Sequence, residues 1–392
     1  MTTINLSDIN VNRYSRFDII TWWDKKILKN SKVLVIGCGA LGNEIVKNLA
    51  MTGVGHIYVV DMDKVELTNL TRSVLFRKED IGKSKSETIC RRAKEINDEI
   101  EIKYFNGNVF ELGLGVFKNM DIILCGLDNR EARIYINQSC RKVSTPWIDG
   151  AIEVISGVAR GFFSNEKACY ECTFSEADYK VLNKRKSCML LGIDDIHQGK
   201  IPTTPTISSI IAGIQVQEAI KFLHNREELI LLDGKGFVYN GVTNESYIVE
   251  YQPKDECPSH YTFDNIKKIK NDFYSSTLQD VFEFGEKYFT GSGFIIEFNN
   301  EIVYKLMTSD GKEKEYFANM NLLSTKDIRD KNIIYTPLSF HMLTTNSELF
   351  DSLRHKKLTD LKIPYNDILI LKDRTSSGEI QIEFEAGNIF KD

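Results

Sequence analysis

The chain has 392 residues, room for two or three domains at about 150 residues each. Its 42% hydrophobic and 27% charged content excludes a mainly disordered or collagen-like chain. The 50 Lys and Arg against 55 Asp and Glu leave a formal charge of −5, so the chain as a whole is not an electrostatic nucleic-acid binder. No apolar run approaches the roughly 20 residues that span a bilayer. The leading MTTINLSDINVNRYSRFD lacks a charged-then-apolar signal pattern, so we expect a cytoplasmic protein with no membrane partner. Its 8 cysteines are too sparse for a disulfide scaffold, and clusters among them point to metal or catalysis.

In chain order, KVLVIG reads as a buried parallel strand. GCGALG follows, then NEIVKNLAMTG, whose Ile45, Val46, Leu49 and Ala50 fall at helical spacing and which Gly53 stops. HIYVVD is a second buried strand, which makes a right-handed βαβ unit. The pattern continues with a helix around Lys83–Ile96, strands at EIKYFN and DIILCG, and a helix at NREARIYINQSCRK. Beyond Pro146 come short strand-like runs, WIDGAIEV and SGVARGFF, then a strong helix at Ile207–Leu223 behind Pro205. LILLDG, FVYNGV and YIVEYQ read as closing strands. Pro253 and the charged Lys254–Glu256 suggest a boundary near residue 260. After it, Thr277–Phe289 reads as a helix, and GFIIEF and EIVYKLM as a hairpin around Asn299-Asn300. KKLTDLKI reads as a short helix, and DILILKD and EIQIEFE as half-buried strands joined at Ser376-Ser377-Gly378. The expected fold is α/β: a Rossmann-like domain with a mixed, mainly parallel sheet over 1–260, and a smaller α+β, β-grasp-like domain over 261–392.

Gly37-Cys38-Gly39-Ala40-Leu41-Gly42 fits Gly-x-Gly-x-x-Gly between strand and helix. Gly37 and Gly39 allow a tight turn and close approach of a ligand, Gly42 allows the helix to pack near the strand, and the helix N-terminus faces phosphates. Asp61 ends the next strand, where a carboxylate can accept ribose hydroxyls. The motif by itself does not separate a nicotinamide cofactor from ATP.

The segments that follow do. Asp61-Met62-Asp63-Lys64-Val65-Glu66-Leu67-Thr68-Asn69-Leu70-Thr71-Arg72, Ile81-Gly82-Lys83-Ser84-Lys85 and Gly126-Leu127-Asp128-Asn129 resemble the adenylating enzymes of ubiquitin-like proteins. That family includes sulfur-carrier adenylyltransferases and ubiquitin-like-activating enzymes, and the resemblance runs from about Arg13 to His260. It implies that Asp61 holds the ribose, that Asn69, Arg72 and Lys85 contact the ATP phosphates, and that Asp128 binds Mg²⁺. Cations and a carboxylate-held Mg²⁺ suit the charge that builds when a carboxylate attacks the α-phosphate. Singly, Lys85 reads as a solvated charge and Asp128 as a helix cap. Arg13-Tyr14-Ser15-Arg16 resembles the family's leading segment, in which the second arginine, here Arg16, reaches the phosphates of the other protomer. That implies a homodimer. The compact, undivided build looks prokaryotic.

Cys169-Tyr170-Glu171-Cys172 and Cys257-Pro258-Ser259-His260 form two pairs with two-residue gaps, a four-ligand set of structural Zn²⁺ type. The family carries cysteine in the last place, so His260 departs from its pattern. Cys188 follows the basic run Lys184-Arg185-Lys186, which favours its thiolate. It precedes Pro202-Thr203-Thr204 in a context where some family members keep a thioester-forming cysteine, on a crossing loop here spanning about 173–201. Cys38, Cys90, Cys125 and Cys140 read as core residues. The chain's ending resembles the ubiquitin-fold domain that recruits a conjugating enzyme, with Thr308–His355 fitting poorly, as an insertion would. The expectation is an ATP-, Mg²⁺- and Zn²⁺-dependent activating enzyme for a ubiquitin-like protein that works through Cys188. The alternatives are a sulfur-carrier adenylyltransferase and a non-catalytic scaffold subunit.

Overall fold

The structure, a computed structural model, describes residues 12–180, 202–289, 293–330, 333–374 and 378–392. Its first sheet has eight strands in the order β3-β2-β1-β4-β5-β6-β7-β8. They are β1 (Lys32–Ile36), β2 (His56–Val60), β3 (Glu101–Phe105), β4 (Ile122–Cys125), β5 (Trp147–Glu153), β6 (Ser156–Phe162), β7 (Lys235–Asn240) and β8 (Glu245–Glu250). The first five run parallel and the last three antiparallel. The β-branched runs VLVI and IILC occupy the middle and are buried on both faces, as a parallel sheet covered on both sides requires.

Helices α2 (Ala40–Thr52) and α3 (Lys85–Ile96) and the long α6 (Pro205–Leu223) cover one face. Ile45, Val46, Leu49, Ile89, Ile211 and Val216 share its core. Helices α4 (Leu114–Lys118) and α5 (Arg130–Val143) cover the other, while α1 (Lys25–Asn30) precedes β1. Proline opens α6 behind Thr204, whose side chain caps it, the placement that suits a residue without an N–H. No described helix is long and apolar enough to cross a membrane.

A second sheet has the order β12-β13-β10-β14-β15-β9, with β11 also on β10. Its strands are β9 (Ile266–Asp272), β10 (Phe294–Thr308), β11 (Glu313–Asn319), β12 (Arg329–Asp330), β13 (Ile333–Thr344), β14 (Ile368–Asp373) and β15 (Glu379–Glu385). Helices α7 (Leu278–Gly285) and α8 (Glu348–Leu353) contribute Leu278, Val281, Phe350 and Leu353 to its core. The first and last strands, β9 and β15, pair in parallel, as a β-grasp-like α+β unit would have them.

Several local expectations change. The Asn299-Asn300 pair is no hairpin: β10 runs through it with a register shift between Glu297 and Ile302. The hairpin lies instead between β10 and β11, around Gly311 at φ +83°. Residues 356–363 form turns rather than a helix, with Lys362 at φ +60°, and the helix in this region is α8. LILLDG is not a strand. Glu218 Oε2 accepts the amides of Leu231 and Leu232 at 2.9 and 3.1 Å, so a carboxylate replaces a strand partner. The stretch Thr308–His355, expected as an insertion, supplies β11, β12 and β13, which join the second sheet on the β10 side.

The two sheets are joined through side chains that the sequence does not mark. Phe390 packs with the first sheet's second core, 4.9 Å from the Tyr58 ring centroid. Asp367 is buried and accepts the Leu114 amide at 3.0 Å. Lys142 donates to Asn299 at 2.8 Å.

Candidate functional site

The glycine turn closes between β1 and α2. Gly37 stands at φ +92°, and a Cβ there would meet the Gly126 carbonyl oxygen at 2.9 Å. The turn after β4 is therefore pressed against the turn after β1. A Cβ on Gly42 would stand 1.8 Å from the Gly37 carbonyl oxygen, whereas one on Gly39 would have nothing within 4 Å. Gly39 is the N-cap of α2 and carries no side-chain cap. The helix thus opens with free amides onto empty space, the arrangement that receives a phosphate. Asn43, which the motif reading passed over, braces the turn from beneath. Its Nδ2 donates to Cys38 O at 2.8 Å and Gly39 O at 3.0 Å, and its Oδ1 accepts Leu75 N at 2.9 Å. An Asn directly behind the third glycine was the only sign of it.

Asp61 sits at the C-terminal end of β2. Its carboxylate accepts Cys38 N at 2.6 Å and Asp63 N at 2.7 Å. Burial raises its pKa above the ordinary carboxylate value, against the pull of Lys85 and these two amides. Lys85, the first residue of α3, is not a solvated charge: its side chain is 12% exposed and bonds Asp63 at 2.8 Å. Its pKa is raised although burial opposes that, because Asp61 and Asp63 hold the proton. Asp63, quoted in the motif but given no role there, is therefore the partner that fixes the Lys85 side chain. Asn69 is buried, and its Oδ1 accepts Glu66 N at 2.9 Å. Arg72 is less tied, donating to Thr68 O at 2.8 Å.

Asp128 is exposed. The helix cap expected of it is made by Asn129, which accepts Ala132 N at 2.7 Å. A single exposed carboxylate beside a phosphate turn fits Mg²⁺, which keeps several waters and takes one or two carboxylates along with phosphate oxygens.

Arg16 is exposed, and its segment docks at the far end of α2. Tyr14 lies against Gly53 and accepts Asn97 Nδ2 at 2.7 Å, while Arg13 reaches Ile96 O at 2.5 Å. Helix α2 has 13 residues, or about 20 Å at 1.5 Å per residue. Tyr14 is thus anchored about a helix length from the glycine turn, and Arg16 follows it by two residues.

Cys169, Cys172, Cys257 and His260 come together, their ligand atoms all within 4.8 Å of one another. Cys169 Sγ is 3.7 Å from Cys172 Sγ and 3.6 Å from Cys257 Sγ. A tetrahedron with Zn–S bonds of about 2.3 Å has edges of about 3.8 Å, so the thiols already have the spacing of a closed zinc site. Cys172 Sγ is 3.2 Å from His260 Nε2, so imidazole occupies the fourth corner. Asn137 supports the set, donating to Cys169 Sγ at 3.4 Å and Ser259 Oγ at 2.9 Å.

The other described cysteines are buried. Burial pushes the Cys125 thiol up to about 12 and those of Cys38 and Cys140 well above normal, so they behave as core residues. Cys188, with Lys184, Arg185 and Lys186, lies outside the described residues.

A parallel sheet in the order 3-2-1-4-5, with a glycine turn at the uncapped start of α2 and a carboxylate ending β2, defines a Rossmann-like nucleotide-binding protein. Residues 12–259 match the ThiF family, and the chain belongs to that family. It is 29% identical over 260 residues to the SAMP-activating enzyme E1 of Haloferax volcanii, covering 65% of this chain and 91% of that protein. It is 38% identical over 156 residues to the SUMO-activating enzyme subunit uba-2 of Caenorhabditis elegans, covering 39% of this chain but 27% of the relative. Other activating-enzyme relatives are likewise matched over only about a third of their length. Among solved structures, E. coli MccB with ATP aligns at a TM-score of 0.54 and 26% identity, over 65% of this chain and 75% of that one.

Proposed function

We propose that this chain is an ATP-dependent activating enzyme for a ubiquitin-like protein. The observation that carries the reading is the open, uncapped start of α2 at Gly39, with Asp61 on one side and the Asp128 turn pressed against Gly37 on the other. The likeness to the SAMP-activating enzyme, over 91% of that protein and 65% of this chain, supports the substrate class.

In this reading Asp61 takes the ribose hydroxyls, and the α2 amides, Asn69, Arg72 and Lys85 take the phosphates. Mg²⁺, when bound at Asp128, would neutralise phosphate charge. The C-terminal carboxylate of the ubiquitin-like protein attacks the α-phosphorus, the bond to pyrophosphate breaks, and an acyl-adenylate forms. The Cys188 thiolate then attacks the acyl carbon and AMP leaves, giving a thioester that passes to a conjugating enzyme docked on residues 261–392. Cys188 is favoured because the cysteines among the described residues are either in the cluster or buried with raised pKa values. Zn²⁺ on Cys169, Cys172, Cys257 and His260 would tie residue 170 to residue 260 as a structural site. Arg16, exposed and two residues from Tyr14 at the far end of α2, would complete the site of a second copy in a homodimer.

The test is to mix the chain with ATP·Mg²⁺ and a candidate ubiquitin-like protein. Pyrophosphate release followed by an adduct cleaved by reductant is expected, and Cys188→Ala should keep the first and lose the second. Pyrophosphate release without any adduct in the unsubstituted chain would favour a sulfur-carrier adenylyltransferase. No release with any candidate would favour a scaffold.

A further inference from the structure

Strands β5 and β6 and helix α5 carry an ion cluster next to the Gly126–Asn129 turn. Asp149 on β5 is fully buried. Arg133 on α5 pairs with it by charge, Nε standing 2.8 Å from Asp149 Oδ1 without the alignment of a hydrogen bond. Arg160 on β6 holds the other oxygen, with NH1 2.8 Å from Oδ2. The remaining end of the Arg133 guanidinium faces the turn: NH2 donates to the Leu127 carbonyl, and to Gly150 O at 3.1 Å. From the opposite face Gln215 on α6 donates to Cys125 O at 2.9 Å and Ile148 O at 3.3 Å, tying β4 to β5.

Such a cluster contributes little net stability, because taking three charges out of water offsets their attraction. It does contribute direction. A guanidinium is a planar fork with donors at fixed angles; here the charge of Asp149 holds the fork in place while its NH2 donates to the carbonyl of the residue directly before Asp128. On the other side of Asp128, Asn129 is locked as the cap of α5. The glycine side has no slack either, since a Cβ on Gly37 would meet Leu127 Cδ2 at 3.0 Å. Asp128 is thus an exposed carboxylate held between two fixed neighbours.

We infer that Arg133 is a positioning residue: by gripping the Leu127 carbonyl, with Asp149 as its anchor and Arg160 as the counterweight, it sets the direction of the Asp128 carboxylate toward bound nucleotide and its magnesium. The inference rests on the nucleotide reading above. Lysine in this place would keep the charge, but its three donors radiate from one nitrogen and cannot reproduce the planar fork that reaches both carbonyls. Asparagine at 149 would keep the size and an acceptor while removing the charge that orients the fork.

The experiment compares Arg133→Lys and Asp149→Asn with the unsubstituted chain. Amide hydrogen exchange of residues 127–129 is measured without nucleotide or metal, and ATP binding is followed by calorimetry over a range of Mg²⁺ concentrations. Both variants should exchange faster at 127–129 and need about tenfold more Mg²⁺ for half-maximal ATP binding, the size of effect seen when a ligand's supporting partner is removed. Melting should stay cooperative, with exchange in the β1–α2 unit unchanged. Unaltered exchange at 127–129 or an unaltered Mg²⁺ requirement would overturn the inference. So would general loss of protection or of folding in both variants, which would make the cluster purely structural. If the unsubstituted chain binds no ATP, the nucleotide reading fails by itself, and exchange at 127–129 still decides whether Arg133 sets the turn.

Discussion

Alanine at Gly42 and alanine at Gly39 should fail in opposite ways, although the two lie in one turn. The Gly42 methyl would stand 1.8 Å from the Gly37 carbonyl oxygen, where real contacts stay beyond 3.0 Å. The start of α2 must therefore withdraw from β1 by more than 1 Å. Both elements are locked in the core, with Ile36 and Ile45 at most 1% exposed, so the cost is that of overpacking, about 1–3 kcal/mol or more. At Gly39 the methyl meets nothing within 4 Å, and φ −72°, ψ −152° is extended backbone that alanine adopts without strain. Stability should change by no more than about 1 kcal/mol, the scale of a helix-cap substitution. The methyl would, however, stand in the space in front of the free α2 amides. ATP affinity should fall by about tenfold or more, equivalent to about 1.4 kcal/mol. Denaturant melts read the first quantity and calorimetry with ATP·Mg²⁺ the second. Gly39→Ala binding ATP as tightly as the parent would place the phosphates elsewhere, and Gly42→Ala as stable as the parent would refute the packing argument.

Three further outcomes can be measured. Burial raises Asp367 from the ordinary 3.8 to about 6, against the Leu114 amide, Asn299 and Lys142, so between about pH 4 and 6 the folded chain keeps a proton that the unfolded chain releases. This group's stabilising contribution is complete below about pH 4 and is lost as pH rises through about 6, by about 3 kcal/mol for a shift of this size. Asp367→Asn, which retains an acceptor for the Leu114 amide, should flatten that slope in melts across the window; an identical slope would count against the buried carboxyl. Protein never exposed to chelator should carry one Zn²⁺ per chain at its four-ligand set, and Cys257→Ser should lose it together with cooperative melting, as metal analysis and calorimetry would report. Phe390→Ala should cost about 3 kcal/mol, because the ring fills the second core of the first sheet; a denaturant melt equal to the parent's would show that this contact does not bind the two sheets together.

Local chemistry explains which features could be read from the sequence. The glycine turn, the alternation of strands and helices through residue 162, and the paired cysteines are set by contacts within a few residues or by the period of burial. All of them appear where the spacing places them. Arg133 and Asp149 carry no such mark. Arg133 looks like an ordinary polar position on an amphipathic helix, and Asp149 like a turn residue beside Gly150, until the sheet brings β5 and β6 beneath α5. Asn299-Asn300 misled for the same reason. An Asn pair between apolar runs signals a turn when water is its only partner. Here Asn299 is bonded by Lys142 and bonds Asp367, and Asn300 Oδ1 accepts from Asn321 at 3.0 Å, so both side chains find protein partners inside a continuous strand, although Asn300 Nδ2 is buried without one among the described residues. Lys85 was legible as a site residue but not its pairing with Asp63, which stands in a different segment of the motif and was given no role there. The parts of the site hidden from the sequence are thus the ones that orient rather than bind: Asn43 under the glycine turn, Asp63 beside Lys85, and Arg133 behind Asp128. Each acts through a backbone carbonyl or a neighbouring charge whose position only the folded sheet defines, so substitutions there should alter how nucleotide and metal are held without removing a group that touches them.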